Sequence, residues 1–210
     1  MTKILLVSAG WKHPPVGGRS VLRKLLSGLP DYRVDTVHSL AEAVGKPLSG
    51  YDALVLYYHH KDAALSDGEL AAFSDYVSRG GGVLAVHSAT ASYKQTPGYF
   101  KVLGGRFTGH GPVESFEIRP AEEADRRFDG IGPFRVTDEL YLHELQPDIR
   151  VHFTAEYENR RVPIVWTRTH GRGRVCYVCP GHRTATMRQP ETGRIIRAGL
   201  SLVTDKGGTP

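Results

Sequence analysis

The chain has 210 residues and a formal charge of +5, with 40% hydrophobic and 23% charged residues. These proportions are those of an ordinary globular domain, so they exclude a disordered, a collagen-like and a coiled-coil protein. The length is enough for one α/β domain, which we place at residues 1–204, followed by a polar tail at 205–210 that we expect to be flexible.

The start of the chain and the distribution of charge bear on location and partners. No run approaches the roughly 18 to 20 apolar residues that cross a bilayer, and residues 1–7 predict a strand rather than a signal peptide. We therefore expect a cytoplasmic protein with no membrane partner. Nine arginines and a single acid, Glu191, lie between Arg160 and Arg197, but no nucleic-acid motif accompanies them, so we expect a solvated surface and no nucleic-acid partner.

The first hundred residues alternate strand and helix patterns, which is typical of a parallel sheet with helices on its faces. Ser66 and Glu69 have the spacing of a capping box at the start of one helix. The order is that of a flavodoxin-like or Rossmann-like fold. Strands are predicted at 4–8, 33–38, 53–58 and 83–86, and helices at 20–29 and from Ser66 to about residue 79.

The second half is dominated by strands joined by turns, which predicts antiparallel strands added to the parallel ones. We therefore expect a mixed, mostly parallel sheet with helices on both faces. Cys176 and Cys179 fall in a strand, three residues apart and thus on opposite faces, so we expect buried thiols without a disulfide. Strands are predicted at 113–119, 134–136, 151–155, 163–167 and 174–178, and a closing helix at 190–203.

Histidines follow several predicted strands. In open parallel sheets, ligands bind beyond the carboxyl ends of the strands, so these imidazoles are candidates for one shared crevice. Imidazole binds divalent metals, zinc above all, and also moves protons near neutral pH. The histidines that follow strands are His13, His59, His60, His87 and His182.

Residues 83–90 predict a strand that runs into a tight turn before a helix, an arrangement that exposes the residue at its tip. That tip holds His87, and glutamine hydrolysis would need a thiolate there, so we do not expect a glutamine amidotransferase. Ser88 with His182 as its base is the alternative of a serine hydrolase, although the flanking glycines of the hydrolase motif are missing.

Two further segments carry polar groups. Residues 137–144 bring Glu139 and Tyr141 together after a predicted short strand, which suits metal ligation, proton transfer or binding of sugar hydroxyls. Residues 104–111 predict a glycine-rich loop whose His110 reaches the crevice if the loop folds over it. That loop lacks both the P-loop lysine and the GxGxxG spacing, so we expect no nucleotide cofactor.

Five segments occur together in one order: 80–89, 104–110, 137–141, 163–166 and 173–182. In this order the chain resembles the trehalose-utilisation (ThuA-like) family over residues 3–203. The resemblance implies a class I glutamine amidotransferase-like, flavodoxin-like fold and a role in the use of trehalose and related disaccharides. The motif positions that it carries over are His87, His110, Glu139, Tyr141 and His182, with His13 and His59 matching more loosely.

These observations predict an enzyme that acts on a sugar or keto-sugar by metal-assisted isomerisation, elimination or hydrolysis. A non-catalytic carbohydrate-binding or regulatory module and the serine hydrolase remain alternatives, and a homodimer is left open. The predicted metal ligands are His59, His87, His110 and His182. The predicted catalytic residues are His87, Ser88, Glu139 and His182, and those predicted to bind substrate are Trp11, His13, Tyr58, His110 and Tyr141.

Overall fold

The computed structural model of the chain describes residues 1–10 and 14–205. Its elements alternate in the first half and are mainly strands in the second. The strands are β1 (Thr2–Ser8), β2 (Tyr32–Val37), β3 (Ala53–Tyr57), β4 (Gly82–Val86), β5 (Gly105–Pro120), β6 (Phe134–Leu145), β7 (Arg150–Tyr157), β8 (Arg160–His170) and β9 (Gly173–Val178). The α-helices are α1 (Val16–Ser27), α2 (Leu40–Val44), α3 (Asp67–Ser78), α4 (Pro97–Leu103), α5 (Thr184–Met187) and α6 (Pro190–Thr204), and short 3-10 turns lie at Leu48–Gly50, His87–Ala91 and Arg126–Phe128.

The strands form one nine-stranded sheet in the order β2-β1-β3-β4-β9-β8-β7-β5-β6. The five strands from β2 to β9 in that order are parallel, and the remaining pairings, from β9 to β6, are antiparallel. The mixed α/β class is thus confirmed. The expectation of a mostly parallel sheet was inexact, because half of the ladders between the described strands are antiparallel.

The core lies around the central parallel strands. Every residue of β3 and β4 is buried, as is the run from Ile4 to Ser8 in β1. A strand covered on both faces needs a continuous apolar sequence, which is the signal that predicted these strands. Helices cover both faces: α1 and α6 pack side by side, and α2, α3 and α4 lie on the other side.

The helix starts have clear local causes. Ser66 caps α3 in a complete capping box, because its side chain accepts the amide of Glu69 and the Glu69 carboxylate accepts the amide of Ser66. Pro190 begins α6 at a position where no amide donor is needed. In the part of the chain that is described, no helix is long and apolar enough to cross a membrane.

The largest departure from the predicted elements is a long ribbon formed by β5 and β6. Residues 104–111 are not a loop: from Gly105 onwards they belong to the 16-residue β5, and residues 137–144 continue the 12-residue β6. Only Arg119 and Pro120 of β5 pair with β7, whereas the rest of β5 pairs with β6. The ribbon therefore leaves the main sheet and can reach over its edge.

The end of the described chain is tied to the domain. Asp205 forms an ion pair with Arg127, and its carbonyl oxygen accepts a hydrogen bond from Arg174 at 2.6 Å. The remainder of the tail that we expect to be flexible, residues 206–210, lies outside the described residues.

Candidate functional site

The site lies at the carboxyl edge of the parallel strands, where β4 and β9 end next to each other. His87 follows β4 and His182 follows β9 after a short turn, so the two side chains meet at this edge. The β5–β6 ribbon supplies Glu139 and Tyr141 from the far side of the sheet. Two register shifts interrupt the ribbon near His110, and such bulges re-aim side chains next to active sites.

His87 occupies a backbone conformation that is unusual for a residue with a side chain. Its φ is +47°, in the left-handed region, so the tight turn expected after β4 is present. The ring is completely buried, and its Nδ1 lies 2.8 Å from the carbonyl oxygen of Cys179. Since a carbonyl only accepts hydrogen bonds, Nδ1 donates its proton to Cys179, and Nε2 is the ring nitrogen that faces Glu139.

Gly181 makes room for His87. A Cβ at position 181 would lie 2.6 Å from the Cβ of His87, closer than two such atoms can approach. The carbonyl oxygen of Gly181 accepts the hydroxyl of the buried Tyr57 at 2.5 Å. The turn after β9 is therefore held against the turn after β4.

Glu139 is the centre of the site. Its Oε2 lies 3.2 Å from Nδ1 of His182 and 3.5 Å from Nε2 of His87, and its Oε1 lies 3.8 Å from Nε2 of His110. Burial alone would raise the pKa of Glu139, but hydrogen bonds and charge from His182 and His87 outweigh it and hold that pKa below its ordinary value. The hydrogen bond with Glu139 in turn raises the pKa of His182 above its ordinary value.

Asp138, which the sequence did not single out, fixes the turn that carries His182. It is completely buried, and its carboxylate accepts the amides of Gly181 and His182 at 3.0 Å each and that of Glu139 at 2.9 Å. A buried carboxylate needs such donors. The one available signal was its place beside Glu139 in a segment already rich in polar groups.

Aromatic rings form one wall of the site. The ring centroid of Tyr141 lies 4.0 Å from that of His87 and 4.3 Å from that of Phe107, and His110 stacks on Tyr141 at 5.7 Å. Burial and the neighbouring Glu139 carboxylate raise the pKa of Tyr141, so its hydroxyl stays protonated and donates to Glu139. Tyr141 is only 2% exposed, so Phe107 and His110 present more of this wall to the outside.

The residues at the centre of the site fit a small divalent cation. One ligand atom each from His87, Glu139 and His182 lies within 4.8 Å of the others. Zinc bound at about 2.0–2.1 Å in a tetrahedron has ligand atoms about 3.3 Å apart, close to the 3.2 and 3.5 Å measured around Glu139. Two histidines and one glutamate form a ligand set of catalytic zinc sites, in which a fourth position stays open.

Other predicted site residues lie elsewhere. His59 is half-buried, and burial followed by the charge of His87 lowers its pKa, but it does not belong to the group of three ligands. Tyr58 was expected to stack on a sugar; this was wrong, because it is completely buried and its hydroxyl bonds that of Tyr99 at 2.9 Å. Trp11 and His13 lie outside the described residues.

The serine hydrolase alternative does not agree with the geometry. Ser88 is completely buried, and among residues 1–10 and 14–205 its hydroxyl has no hydrogen-bond partner. His182, which would have to act as its base, is engaged by Glu139 instead. Cys176 and Cys179 are free, buried thiols, and burial raises the pKa of Cys179 to about 12, so neither supplies a thiolate nucleophile.

The fold is shared with solved structures. A ThuA-like protein from Parabacteroides merdae is 19% identical with a TM-score of 0.84, over 100% of this chain and 93% of its own. A protein of Salmonella typhimurium described as cytoplasmic is 16% identical with a TM-score of 0.72, over 96% and 99%. A β-galactosidase from Rahnella is 14% identical with a TM-score of 0.65, over 96% of this chain but only 31% of its own.

At these identities the structures establish the fold alone, and no curated protein matches the chain. The sequence model of the trehalose-utilisation family, ThuA, matches residues 3–203. The matched residues include both edge strands of the sheet, β2 and β6, and every residue of the site described above. The chain therefore belongs to the ThuA family, whose description relates it to carbohydrate use.

Proposed function

We propose that the chain is an enzyme that acts on a sugar or keto-sugar, and that His87, Glu139 and His182 hold a divalent metal ion, zinc in the first place. The spacing of the three ligand atoms carries this proposal, since two edges measure 3.2 and 3.5 Å. The hydrogen bond from Nδ1 of His87 to the Cys179 carbonyl supports it, because such outer contacts orient histidines that bind metals.

When bound, the metal ion would polarise a carbonyl or hydroxyl oxygen of the sugar. The reaction also needs a residue that removes a proton from the sugar. Glu139 and His182 would bind the metal ion, so a different residue must do this. His110 suits this role. Its Nδ1 lies 2.6 Å from the carbonyl oxygen of Gly111, which leaves the lone pair on Nε2, and its side chain is 38% exposed at the open side of Glu139.

Proton transfer to His110 would place a positive charge next to the carboxylate of Glu139. Nε2 of His110 can take a proton from a carbon next to the polarised carbonyl, and the resulting imidazolium faces Glu139 at 3.8 Å. Return of that proton to the former carbonyl carbon, while the proton of the adjacent hydroxyl passes to the carbonyl oxygen, gives isomerisation. Loss of the group on the next carbon, which takes the proton from His110 and leaves as water or an alcohol, gives elimination. Phe107, which is partly exposed, would contact a face of the sugar ring. We also propose a cytoplasmic location, as described for the Salmonella neighbour.

The first test is the metal content of protein purified without an affinity tag or chelator. We expect about one metal ion per chain in the wild type, and loss of the metal in His87→Ala and Glu139→Gln. His170→Ala is the matched control, because His170 is a partly buried histidine bonded to Ser74 outside the site. A metal-free wild type that also takes up no zinc would overturn the metal site.

The second test follows the reaction in heavy water by NMR, with keto-disaccharides and their parent sugars as substrates. Deuterium uptake next to the carbonyl, lost in His110→Ala while the metal stays bound, supports proton transfer by His110. Saturable binding by calorimetry without product or deuterium uptake would overturn the enzyme proposal in favour of a carbohydrate-binding module.

A further inference from the structure

The carbonyl oxygen of His87 receives hydrogen bonds from two buried side chains. Thr90 Oγ1 lies 3.2 Å from this oxygen, and so does the hydroxyl of Tyr177, a residue of β9. Both Thr90 and Tyr177 are completely buried. A carbonyl oxygen has two lone pairs, so both donors can be accommodated at once.

The hydroxyl of Thr90 also contacts two other groups. Its Oγ1 lies 3.0 Å from Nε2 of His143 and 3.3 Å from the hydroxyl of Tyr177. A threonine hydroxyl has one proton and two lone pairs, so it can donate to the His87 carbonyl and accept from these neighbours. Burial lowers the pKa of His143 to about 3, and the ring is therefore neutral. Thr90 thus connects His143 and Tyr177 to the carbonyl of His87, which accepts from both Thr90 and Tyr177.

Tyr177 and His143 are themselves held in place. Trp166 stacks on Tyr177 with ring centroids 4.1 Å apart and contacts His143 edge-on at 4.9 Å. The indole nitrogen of Trp166 donates to the carbonyl of Leu103 at 3.1 Å. Tyr177 therefore reaches His87 from a layer of packed rings, whereas Thr90 reaches it from within the same turn, His87–Ala91.

These contacts fall on the residue whose backbone needs support. His87 has a φ of +47°, a conformation that side chains disfavour and that persists only where surrounding structure enforces it. We propose that Thr90 and Tyr177 are positioning residues that hold the peptide of His87 in this conformation and so direct its Nε2 towards Glu139. Their effect on metal binding rests on the function proposed above, whereas their effect on the backbone of His87 does not.

The test compares Thr90→Val, Tyr177→Phe and the double variant with Thr167→Val. Thr167 is a matched control, because it is buried and its hydroxyl lies 2.7 Å from Nε2 of a different histidine, His152, outside the site. Thr90→Ser keeps the hydroxyl and is expected to behave as wild type. Two quantities are measured: the 13C chemical shifts of the His87 backbone, which report its φ, and the affinity for cobalt(II), followed by its visible absorption.

We expect the double variant to move the His87 shifts away from left-handed values and to bind cobalt about 10- to 100-fold more weakly, as for other outer contacts of metal ligands. Unchanged His87 shifts in a folded double variant would overturn the proposal, and so would an equal loss of affinity in Thr167→Val. If the double variant does not fold, the single variants decide by the same two quantities. A wild type that binds no cobalt would refute the metal site, and the chemical shifts would still decide the role of Thr90 and Tyr177.

Discussion

At the scale of single residues, the site depends on small distances between groups that are far apart in sequence. Glu139 gains its ionised state from His87 and His182, which lie 52 positions before it and 43 after it. Asp138 gives the turn at His182 its shape by accepting two of its amides. Glu139 thus contacts both histidines, and its neighbour Asp138 positions the turn that carries His182.

Gly181→Ala is expected to damage the site more than the fold. The added methyl group would meet the Cβ of His87 at 2.6 Å, so either the turn or His87 must shift. We expect at least about 10-fold weaker metal binding, and a loss of about 1–3 kcal/mol in the free energy of unfolding, as for overpacking elsewhere. Calorimetric metal titration and urea unfolding measure the two effects.

Gly68→Ala is the control for that variant. Nothing lies within 4 Å of a Cβ at position 68, in the first turn of α3, so the fold should be unchanged or slightly more stable. Wild-type metal affinity in Gly181→Ala would show that His87 does not need this close approach.

At the scale of elements, the parallel half was predictable and the ribbon was not. A strand buried on both faces is a continuous apolar run, so β3 and β4 were recognised to within one residue at each end. In the ribbon, Gly105 and two bulges interrupt the alternation of apolar and polar residues that marks a strand. Residues 138–141 are all buried instead of alternating between buried and exposed. They are buried because one face packs on the core and the other lies over the site, a relationship that no local pattern contains.

Ser66→Ala tests the local interpretation of α3. The variant loses the acceptor for the Glu69 amide and one donor to the Glu69 carboxylate. We expect a decrease of about 0.5–2 kcal/mol in the free energy of unfolding. Urea unfolding provides the measurement, with Ser20→Ala, an exposed serine within α1, as the control. Equal stability of Ser66→Ala and wild type would mean that packing alone holds the start of α3.

At the scale of the whole molecule, buried histidines couple folding to pH. His152 in β7 is completely buried; its Nδ1 accepts the amide of Asp125 at 3.1 Å, and its Nε2 bonds Thr167. Burial lowers its pKa from 6.5 to about 4, and the charge of Arg150 adds to this effect. The folded state therefore keeps His152 neutral in a pH range in which an unfolded chain would protonate it.

We expect the free energy of unfolding to fall as the pH falls from 6.5 to about 4. In that range the unfolded state binds more protons than the folded state, so acid favours unfolding, with a slope of up to about 1.4 kcal/mol per pH unit from this histidine. Urea unfolding between pH 4 and 8 measures the slope. In His152→Gln the slope should decrease, and an unchanged slope would assign the acid sensitivity to other groups.

The sequence by itself determined the α/β class, the central strands, the capping box of α3 and the placement of His87 and His182 at the ends of strands. These features depend on local patterns of burial and capping, which the order of residues carries directly. The family motifs pointed to Glu139, His110 and Tyr141 as well, but not to their arrangement.

Only the tertiary structure decided that Glu139 lies between His87 and His182 in place of His59, and that Tyr58 and Ser88 are buried. It also decided that Asp138 fixes the turn at His182 and that Thr90 and Tyr177 reach the carbonyl of His87. Each of these contacts joins strands or turns distant in sequence, and the sheet order that brings them together results from long-range pairing and packing of the whole chain.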